Sequence, residues 1–188
     1  MRLRNGGFTP KLAGRPVDEV TEVPLPERLL VDLVRRGTRY RPTVRQGDRI
    51  ALGDPIATAS TPAGVLVLPA PASGRISDIE SDSILTIETA GPTSEASSLV
   101  PLIQERASAG EMREALVRGG VWPLFWSAQE QGIPRVETAP APRAIVINFI
   151  LTEPFRARGR IVIEHSWQRI MAGIRFLQHL ISDYGTIE

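Results

Sequence analysis

The sequence predicts an α+β protein in which a module of short β-strands is followed by an α/β segment. Within residues 41–89, short runs of β-favouring residues alternate with closely spaced turn signals, which is typical of a small sandwich or half-barrel. Within residues 99–188, an apolar run precedes an amphipathic pattern with helical spacing. We therefore divide the chain into a lead segment (1–40), a β module (41–89), a polar linker (90–98) and a partial α/β domain (99–188).

The lead segment contains an apolar stretch, residues 27–34, that allows either a strand or a short helix. The alternation of Leu29, Val31 and Leu33 with their neighbours favours a strand, although neither face is cleanly polar. At the other end of the β module, Ser83–Glu88 predicts the strand that closes it.

Two Gly-Asp pairs, Gly47-Asp48 and Gly53-Asp54, punctuate the first half of the β module. We expect each glycine to adopt a positive φ angle and each aspartate to accept a hydrogen bond from a nearby backbone N–H, so that each pair forms a tight turn. The small residues of Ala57–Gly64 predict a hairpin tip. Strands over Val65–Leu68 and Arg75–Ile79 complete the pattern.

The order of turns and strands in residues 41–79 resembles the barrel-sandwich hybrid of biotinyl- and lipoyl-carrier domains. A carrier domain needs a lysine at this exposed hairpin tip, because its cofactor is joined by an amide to the ε-amine. The only lysine of the chain is Lys11, and the tip residues Thr58–Gly64 contain no amine. The resemblance therefore implies the carrier fold without a covalently attached cofactor.

The second half of the chain contains one short and one long helical pattern. Ser108 and Glu111 match a capping box, and Gly119-Gly120 predicts the end of the helix that it begins. The run Ala144–Leu151 is apolar on both faces, which is typical of a strand covered on both sides in a parallel sheet. Apolar residues three and four apart predict an amphipathic helix over about Glu164–Ser182.

A buried strand followed by an amphipathic helix is the first two-thirds of a βαβ unit. The sequence ends at Ile187-Glu188, where the next parallel strand is expected to begin. We therefore expect this chain to be an N-terminal piece of a longer protein.

Composition excludes several classes of function. Lysine and arginine total 22 against 21 acidic residues, so the net charge of +1 gives no bulk argument for nucleic-acid binding. The absence of cysteine excludes disulfides and cysteine-ligated Fe–S clusters within this chain. No apolar signal segment opens the chain, and no apolar run approaches the roughly 20 residues of a membrane helix. We expect a soluble, cytoplasmic chain without a membrane span, whose membrane role depends on partners.

Several segments follow one another in the order found in a known family. They are Arg4–Pro16, Arg41–Asp48, Thr61–Gly64, Ala70–Gly74, Gly120–Leu124 and Ala141–Ile145. Together they span nearly the whole chain and resemble motifs of the NqrA family, the A-subunit of the Na+-translocating NADH:quinone reductase. Pro24–Leu29 and the same β module resemble the homologous C-subunit of the Rnf electron-transport complex.

The resemblance implies a Rossmann-like nucleotide fold, similar to the flavin subunit of respiratory complex I, whose flavin site is lost. In the Rnf-type protein a glycine-rich loop brings bare backbone close to the flavin phosphates. The corresponding stretch here, Gly119–Ser127, carries bulky rings instead. Asn148, Glu153 and Pro154 match a later motif of the flavin fold, but Leu151 replaces its first acid.

The function implied by the resemblance is that of a non-catalytic cytoplasmic subunit of a Na+-pumping NADH:ubiquinone oxidoreductase. Such a protein would assemble on the membrane subunits, lie peripherally at the inner membrane and contribute to quinone interaction. NADH, flavins and ubiquinone would belong to the complex, and this chain would hold no cofactor of its own. The alternatives are an electron-transport protein like the Rnf C-subunit and a stand-alone carrier-like binding module.

We predict that six residues face quinone or a partner protein. They are Trp122, Phe125, Trp126, Glu153, Arg156 and Arg158. The tryptophans lie at helical spacing, so the aromatic group forms either a core or interface cluster or a wall that faces quinone. The arginines contact an acidic partner or phosphate, or else belong to a solvated loop.

Metal and catalytic signals are weak. His165 and His179 are the only histidines, and without cysteine they make a poor case for a metal site. Asp78, Glu80 and Asp82 alternate but lack the glycine and distal glutamate of a calcium loop, which favours a solvated turn. No nucleophile-base arrangement or carboxylate pair can be argued from the spacing, so we predict no catalytic and no metal-binding residue.

Overall fold

The structure, a computed structural model, is of the predicted α+β class, with eleven strands and two helices in the part that it describes. It describes residues 14, 19–81, 83–91, 108–137, 141–149, 159–181 and 186–187. The strands are β1 (Arg28–Asp32), β2 (Val34–Arg35), β3 (Thr38–Arg39), β4 (Arg41–Pro42), β5 (Arg49–Ile50), β6 (Pro55–Thr61), β7 (Gly64–Pro69), β8 (Gly74–Glu80), β9 (Ile84–Thr89), β10 (Ala144–Ile145) and β11 (Thr186–Ile187). The helices are α1 (Ala109–Arg118) and α2 (Gly159–Gln178), with a 3-10 turn at Trp122–Leu124.

Two antiparallel sheets form the first half of the chain. One has the strand order β1-β9-β8-β5 and the other the order β4-β6-β7. Both sheets contribute fully buried side chains to one core, and these come from alternating positions along the strands. They are Ile56, Leu66, Ile76, Leu85 and Ile87, and Leu33, between β1 and β2, joins them. The strands predicted over 27–34, 65–68, 75–79 and 83–88 are confirmed as β1, β7, β8 and β9.

The two Gly-Asp turns have the same geometry, as predicted. Gly47 and Gly53 adopt φ angles of 93° and 92°. The Asp48 carboxylate accepts a hydrogen bond from Arg45 N at 2.7 Å, and Asp54 accepts one from Ala51 N at 2.8 Å. Each turn thus ends two residues before a buried isoleucine, which is Ile50 after the first turn and Ile56 after the second.

The hairpin tip is shorter than the sequence predicted. Residues 57–61 belong to β6 and pair with β7 as far as Thr61 opposite Gly64, so only Pro62 and Ala63 form the tip. The reason is that small side chains in this run face the core: Ala57 and Ala59 are buried, and their size lets the sheets approach closely.

Helix α1 begins at the predicted capping box. Ser108 N donates to the Glu111 carboxylate at 2.7 Å, and Glu111 N donates to Ser108 Oγ at 3.3 Å. These hydrogen bonds, first from the Ser108 backbone and then from its hydroxyl, hold the pKa of Glu111 below its usual value. The helix ends at Gly119, and its Met112 and Leu116 are buried in the core.

We expect Ser108→Ala to lower the free energy of unfolding by about 1 kcal/mol, because a helix donor loses its cap. Since the Glu111 pKa is lowered in the folded state, the carboxylate's contribution is present above its unfolded pKa and is lost as the pH falls through the folded pKa. Urea unfolding at neutral and acidic pH checks both points, with Ser60→Ala, an exposed hydroxyl on β6, as the control. Equal effects of the two variants would contradict the cap.

The second half contains the predicted βαβ unit, since β10 and β11 pair in parallel and α2 lies between them in the chain. The prediction of a doubly covered strand over 144–151 is wrong for the described residues. Only Ala144 and Ile145 form a strand, and Val146 is 73% exposed. In the described residues, β10 pairs with β11 only at Ala144 opposite Thr186 and Ile145 opposite Ile187.

Helix α2 begins five residues before the predicted start at Glu164 and ends at Gln178. The predicted apolar face is only partly covered, since none of its helical residues is fully buried and Trp167 is 54% exposed. Leu180, just beyond the helix, is the first residue of this region to be buried in the core.

Candidate functional site

The segment that follows α1, residues 121–126, forms a compact turn that we call the tryptophan turn. Gly120 directs the chain into it with a φ angle of 66°. A Cβ atom on Gly120 would lie 2.5 Å from Pro69 Cδ at the end of β7, so the backbone here lies directly against the β module. The tryptophan turn is therefore fixed to a rigid sheet rather than carried on a free loop.

Trp122 is a core residue. Its side chain is 5% exposed, and its indole N–H donates to the Pro134 carbonyl at 2.7 Å. The Phe125 ring packs against it at a centroid distance of 5.5 Å and an interplanar angle of 56°. The indole thus fills the space beneath the tryptophan turn, and its hydrogen bond connects the turn to Pro134.

Trp126 points the other way. It is 73% exposed, and Leu124 in the same turn is 64% exposed. The helical spacing of the two tryptophans predicted one shared face, and the structure does not bring them together. The 3-10 turn ends at Phe125, whose extended backbone (φ −78°, ψ 143°) turns the next side chain outwards.

A strap formed by residues 133–136 connects the tryptophan turn to the β6–β7 hairpin. Its Pro134 accepts the Trp122 hydrogen bond, and its Val136 N donates to the Ala63 carbonyl at 2.7 Å. A Cβ atom on Gly64 would lie 3.2 Å from Val136 Cγ2. The hairpin tip, which in a carrier domain presents the attachment lysine, is here packed under the strap.

The other residues considered from the sequence either lie outside the described residues or are exposed. Glu153, Arg156 and Arg158 lie outside the described residues. His165 and His179 are exposed, and the Asp78 carboxylate accepts a hydrogen bond from Ile79 N. In the described part of the chain no three His, Cys, Asp or Glu side chains are grouped so that they could hold a metal ion.

One charged feature was missed from the sequence. The segment Leu33–Gly47 contains five arginines and no acidic residue: Arg35, Arg36, Arg39, Arg41 and Arg45. The balanced total charge hides it, and a charge count in a short window would have found it. All five side chains are exposed.

None of the helices that the structure describes is both long enough and apolar enough to cross a bilayer.

Comparisons with known proteins match both halves of the chain. Residues 107–187 match the family described as the NqrA second alpha/beta domain. The A-subunit of the Na(+)-translocating NADH-quinone reductase of Neisseria meningitidis serogroup B is 26% identical in an alignment of 181 residues that covers 93% of this chain and 40% of that protein. Its counterpart in Neisseria gonorrhoeae is 25% identical over the same length. The resemblance to NqrA is thus confirmed, and the chain spans about 40% of the length of these curated relatives.

Proposed function

Because this chain is similar to NqrA along nearly its whole length, we propose that it forms the N-terminal part of an NqrA subunit in a Na+-translocating NADH-quinone reductase. In this role it lies on the cytoplasmic side, peripheral to the membrane, and assembles on membrane-embedded partner subunits. NADH, flavins and ubiquinone are substrates and cofactors of the complex. The similarity over 93% of the chain is the observation that carries this proposal.

The β module is, in this proposal, a barrel-sandwich hybrid that has become a scaffold. Two sheets that share one core and two matching Gly-Asp turns support that fold. Its hairpin tip lacks an amine, and the strap covers the tip through Val136 N and Ala63 O. A swinging cofactor arm needs a tip free to visit several sites, whereas this tip is anchored to the second half of the chain.

The second half is proposed to open a Rossmann-like domain, with β10, α2 and β11 as its first parallel unit. The tryptophan turn does not fit a flavin site. A flavin phosphate needs bare backbone amides that face a cavity, but the Trp122 indole fills this space and its N–H is bonded to Pro134. We therefore derive no electron-transfer step through this turn.

Trp126 and Leu124 are proposed as the partner- or quinone-facing side chains of the tryptophan turn. Moving large apolar side chains from water into an interface lowers the free energy of binding, and tryptophan is often a hot spot of such interfaces. Of the three aromatics of this turn, only Trp126 is free to be covered by another molecule, since Trp122 and Phe125 are packed against the core.

We expect the double variant L124A/W126A to fold normally and to lose its place in the complex. Both side chains are exposed, so the free energy of unfolding should change by no more than about 0.5 kcal/mol. Retention on the complex should fall at least tenfold, because interface hot spots contribute about 2 kcal/mol or more. The measurement is the amount of NADH-quinone reductase activity that co-purifies with the tagged full-length protein from detergent-solubilised membranes.

V65A, which removes another exposed apolar side chain on β7, is the matched control and should be retained like the wild type. Full recovery of the double variant with active complex would remove the tryptophan turn from the interface. Failure of the wild-type protein itself to co-purify would overturn the proposed function.

A further inference from the structure

The hairpin formed by β2 and β3, residues 34–39, is rich in arginine, and we call it the arginine ribbon. Val34 pairs with Arg39 and Arg35 with Thr38, so the strands form a short two-stranded sheet of their own. Arg36 and Gly37 form its tip with φ angles of 50° and 78°, the conformation of a two-residue hairpin turn. Arg35 and Arg39 are on opposite faces of this hairpin, and a Cβ atom on Gly37 would meet nothing within 4 Å, so arginines flank an open, convex tip.

The positive charge of the arginine ribbon is not neutralised by nearby acids. No ion pair joins Arg35, Arg36 or Arg39 to a carboxylate among the described residues, whereas Arg28 pairs with Glu88 on the neighbouring strands. Asp32 is the acid next to the ribbon. Its carboxylate accepts a hydrogen bond from Val34 N at 2.7 Å and its backbone carbonyl accepts one from Arg35 Nε at 3.2 Å, so the carboxylate stays at the base and the bond to Arg35 is to a neutral group.

The elements that flank the arginine ribbon do not supply acids at its tip. Strands β6 and β7 contain no charged residue. The base of the ribbon meets the β8–β9 turn, where Leu33 N donates to Ser83 O, so the acids Asp78 and Glu80 of β8 lie on the base side. Arg36 is three residues farther along the chain, about 10 Å at the rise of a strand.

We propose that the arginine ribbon is a contact site for anionic phospholipid headgroups at the membrane surface. This inference rests on the proposed function, which brings the chain to the membrane. A planar guanidinium donates two parallel hydrogen bonds to the oxygens of one phosphate. Headgroups are mobile and repeat across the membrane surface, so they can surround a convex tip without a matched shape. The exposed Val34 beside Arg39 adds a small apolar contact with the interface.

A protein partner with an acidic surface would use the same charges but needs a matched shape, and the ribbon offers a short protruding tip rather than a concave surface. The sequence alone predicted membrane contact only through partner subunits. In the proposed arrangement the chain itself also contacts lipid, at its surface and without insertion. Each arginine near an anionic bilayer contributes about a fivefold gain in partitioning.

The test is co-sedimentation of the full chain with vesicles of phosphatidylcholine alone or with 30 mol% phosphatidylglycerol (an experimental choice of about the anionic content of a bacterial membrane). The variant R35Q/R36Q/R39Q removes three charges from the ribbon. The control R143Q/R169Q/R175Q removes three exposed charges elsewhere, so both variants have the same net charge. Thermal unfolding of each variant confirms that the fold is kept.

We expect the wild-type chain and the control to bind anionic vesicles and not neutral ones, and the ribbon variant to bind about 100-fold more weakly. Binding should weaken as salt is raised, because the contacts are exposed to solvent. Equal loss in both variants, or no preference of the wild type for anionic vesicles, would overturn the inference. Loss of complex assembly in the ribbon variant with unchanged vesicle binding would instead identify an acidic protein partner and also overturn it. The proposed function is tested separately by recovery of the wild type with the complex.

Discussion

We expect Gly74→Ala to destabilise the β module by about 3 kcal/mol or more, which is a large fraction of the roughly 5–15 kcal/mol that holds a typical domain together. A Cβ atom on Gly74 would lie 2.1 Å from the Glu88 carbonyl oxygen and 3.0 Å from Ile87 Cγ2. Gly74 pairs with both Ile50 and Thr89, so it lies between two neighbours in the sheet. Neither backbone can withdraw without breaking this pairing.

The measurement is the midpoint of urea unfolding, together with the yield of soluble protein. Gly173→Ala is the control: this glycine lies in α2 with no atom within 4 Å of its added Cβ, and the exchange should stabilise the helix by about 1 kcal/mol. An unchanged midpoint for Gly74→Ala would show that the close approach of β8 and β9 is not as described.

Trp122→Ala is the second change with a large effect, and we expect a loss of about 3–5 kcal/mol in the free energy of unfolding. The indole is 5% exposed and packs against Phe125, so its removal leaves a cavity between the strap and the core. Trp122→Phe keeps most of the apolar volume but leaves the Pro134 carbonyl without its donor, which should cost about 1–3 kcal/mol.

Trp126→Phe is the matched control for the second substitution, because Trp126 is 73% exposed and should tolerate it within about 0.5 kcal/mol. Chemical unfolding followed by far-UV circular dichroism measures all three variants. If Trp122→Phe and Trp126→Phe had the same effect, the two tryptophans would have equivalent surroundings, contrary to the structure.

Features that depend on neighbours in sequence were predictable. The Gly-Asp turns and the capping box are local, because one residue type supplies the φ angle or the hydrogen bond that the next few residues need. The role of the Ala-Pro-Ala-Ser-Gly segment is only partly local. Ser73 Oγ accepts a hydrogen bond from Leu52 N at 2.7 Å, and the missing side chain of Gly74 leaves space for the Glu88 carbonyl. Leu52 and Glu88 are both distant from this segment in the sequence.

Features that depend on distant pairing were not predictable. The run Ala144–Leu151 has the composition of a buried strand, yet among its described residues only Ala144 and Ile145 pair with another strand. The spacing of Trp122 and Trp126 indicated one face because it assumed a helix, whereas a single 3-10 turn separates them. The arginine ribbon was hidden since acids elsewhere balance its charge.

The most direct test of the proposed function is the NADH-quinone reductase activity of membrane vesicles from a strain that lacks the gene for this chain. We predict that the Na+-stimulated oxidation of NADH by quinone is lost and that the wild-type gene restores it, because in the proposed function the membrane subunits need this chain to form an active complex. Unchanged Na+-stimulated activity in the deletion strain would contradict a role for this chain in the reductase.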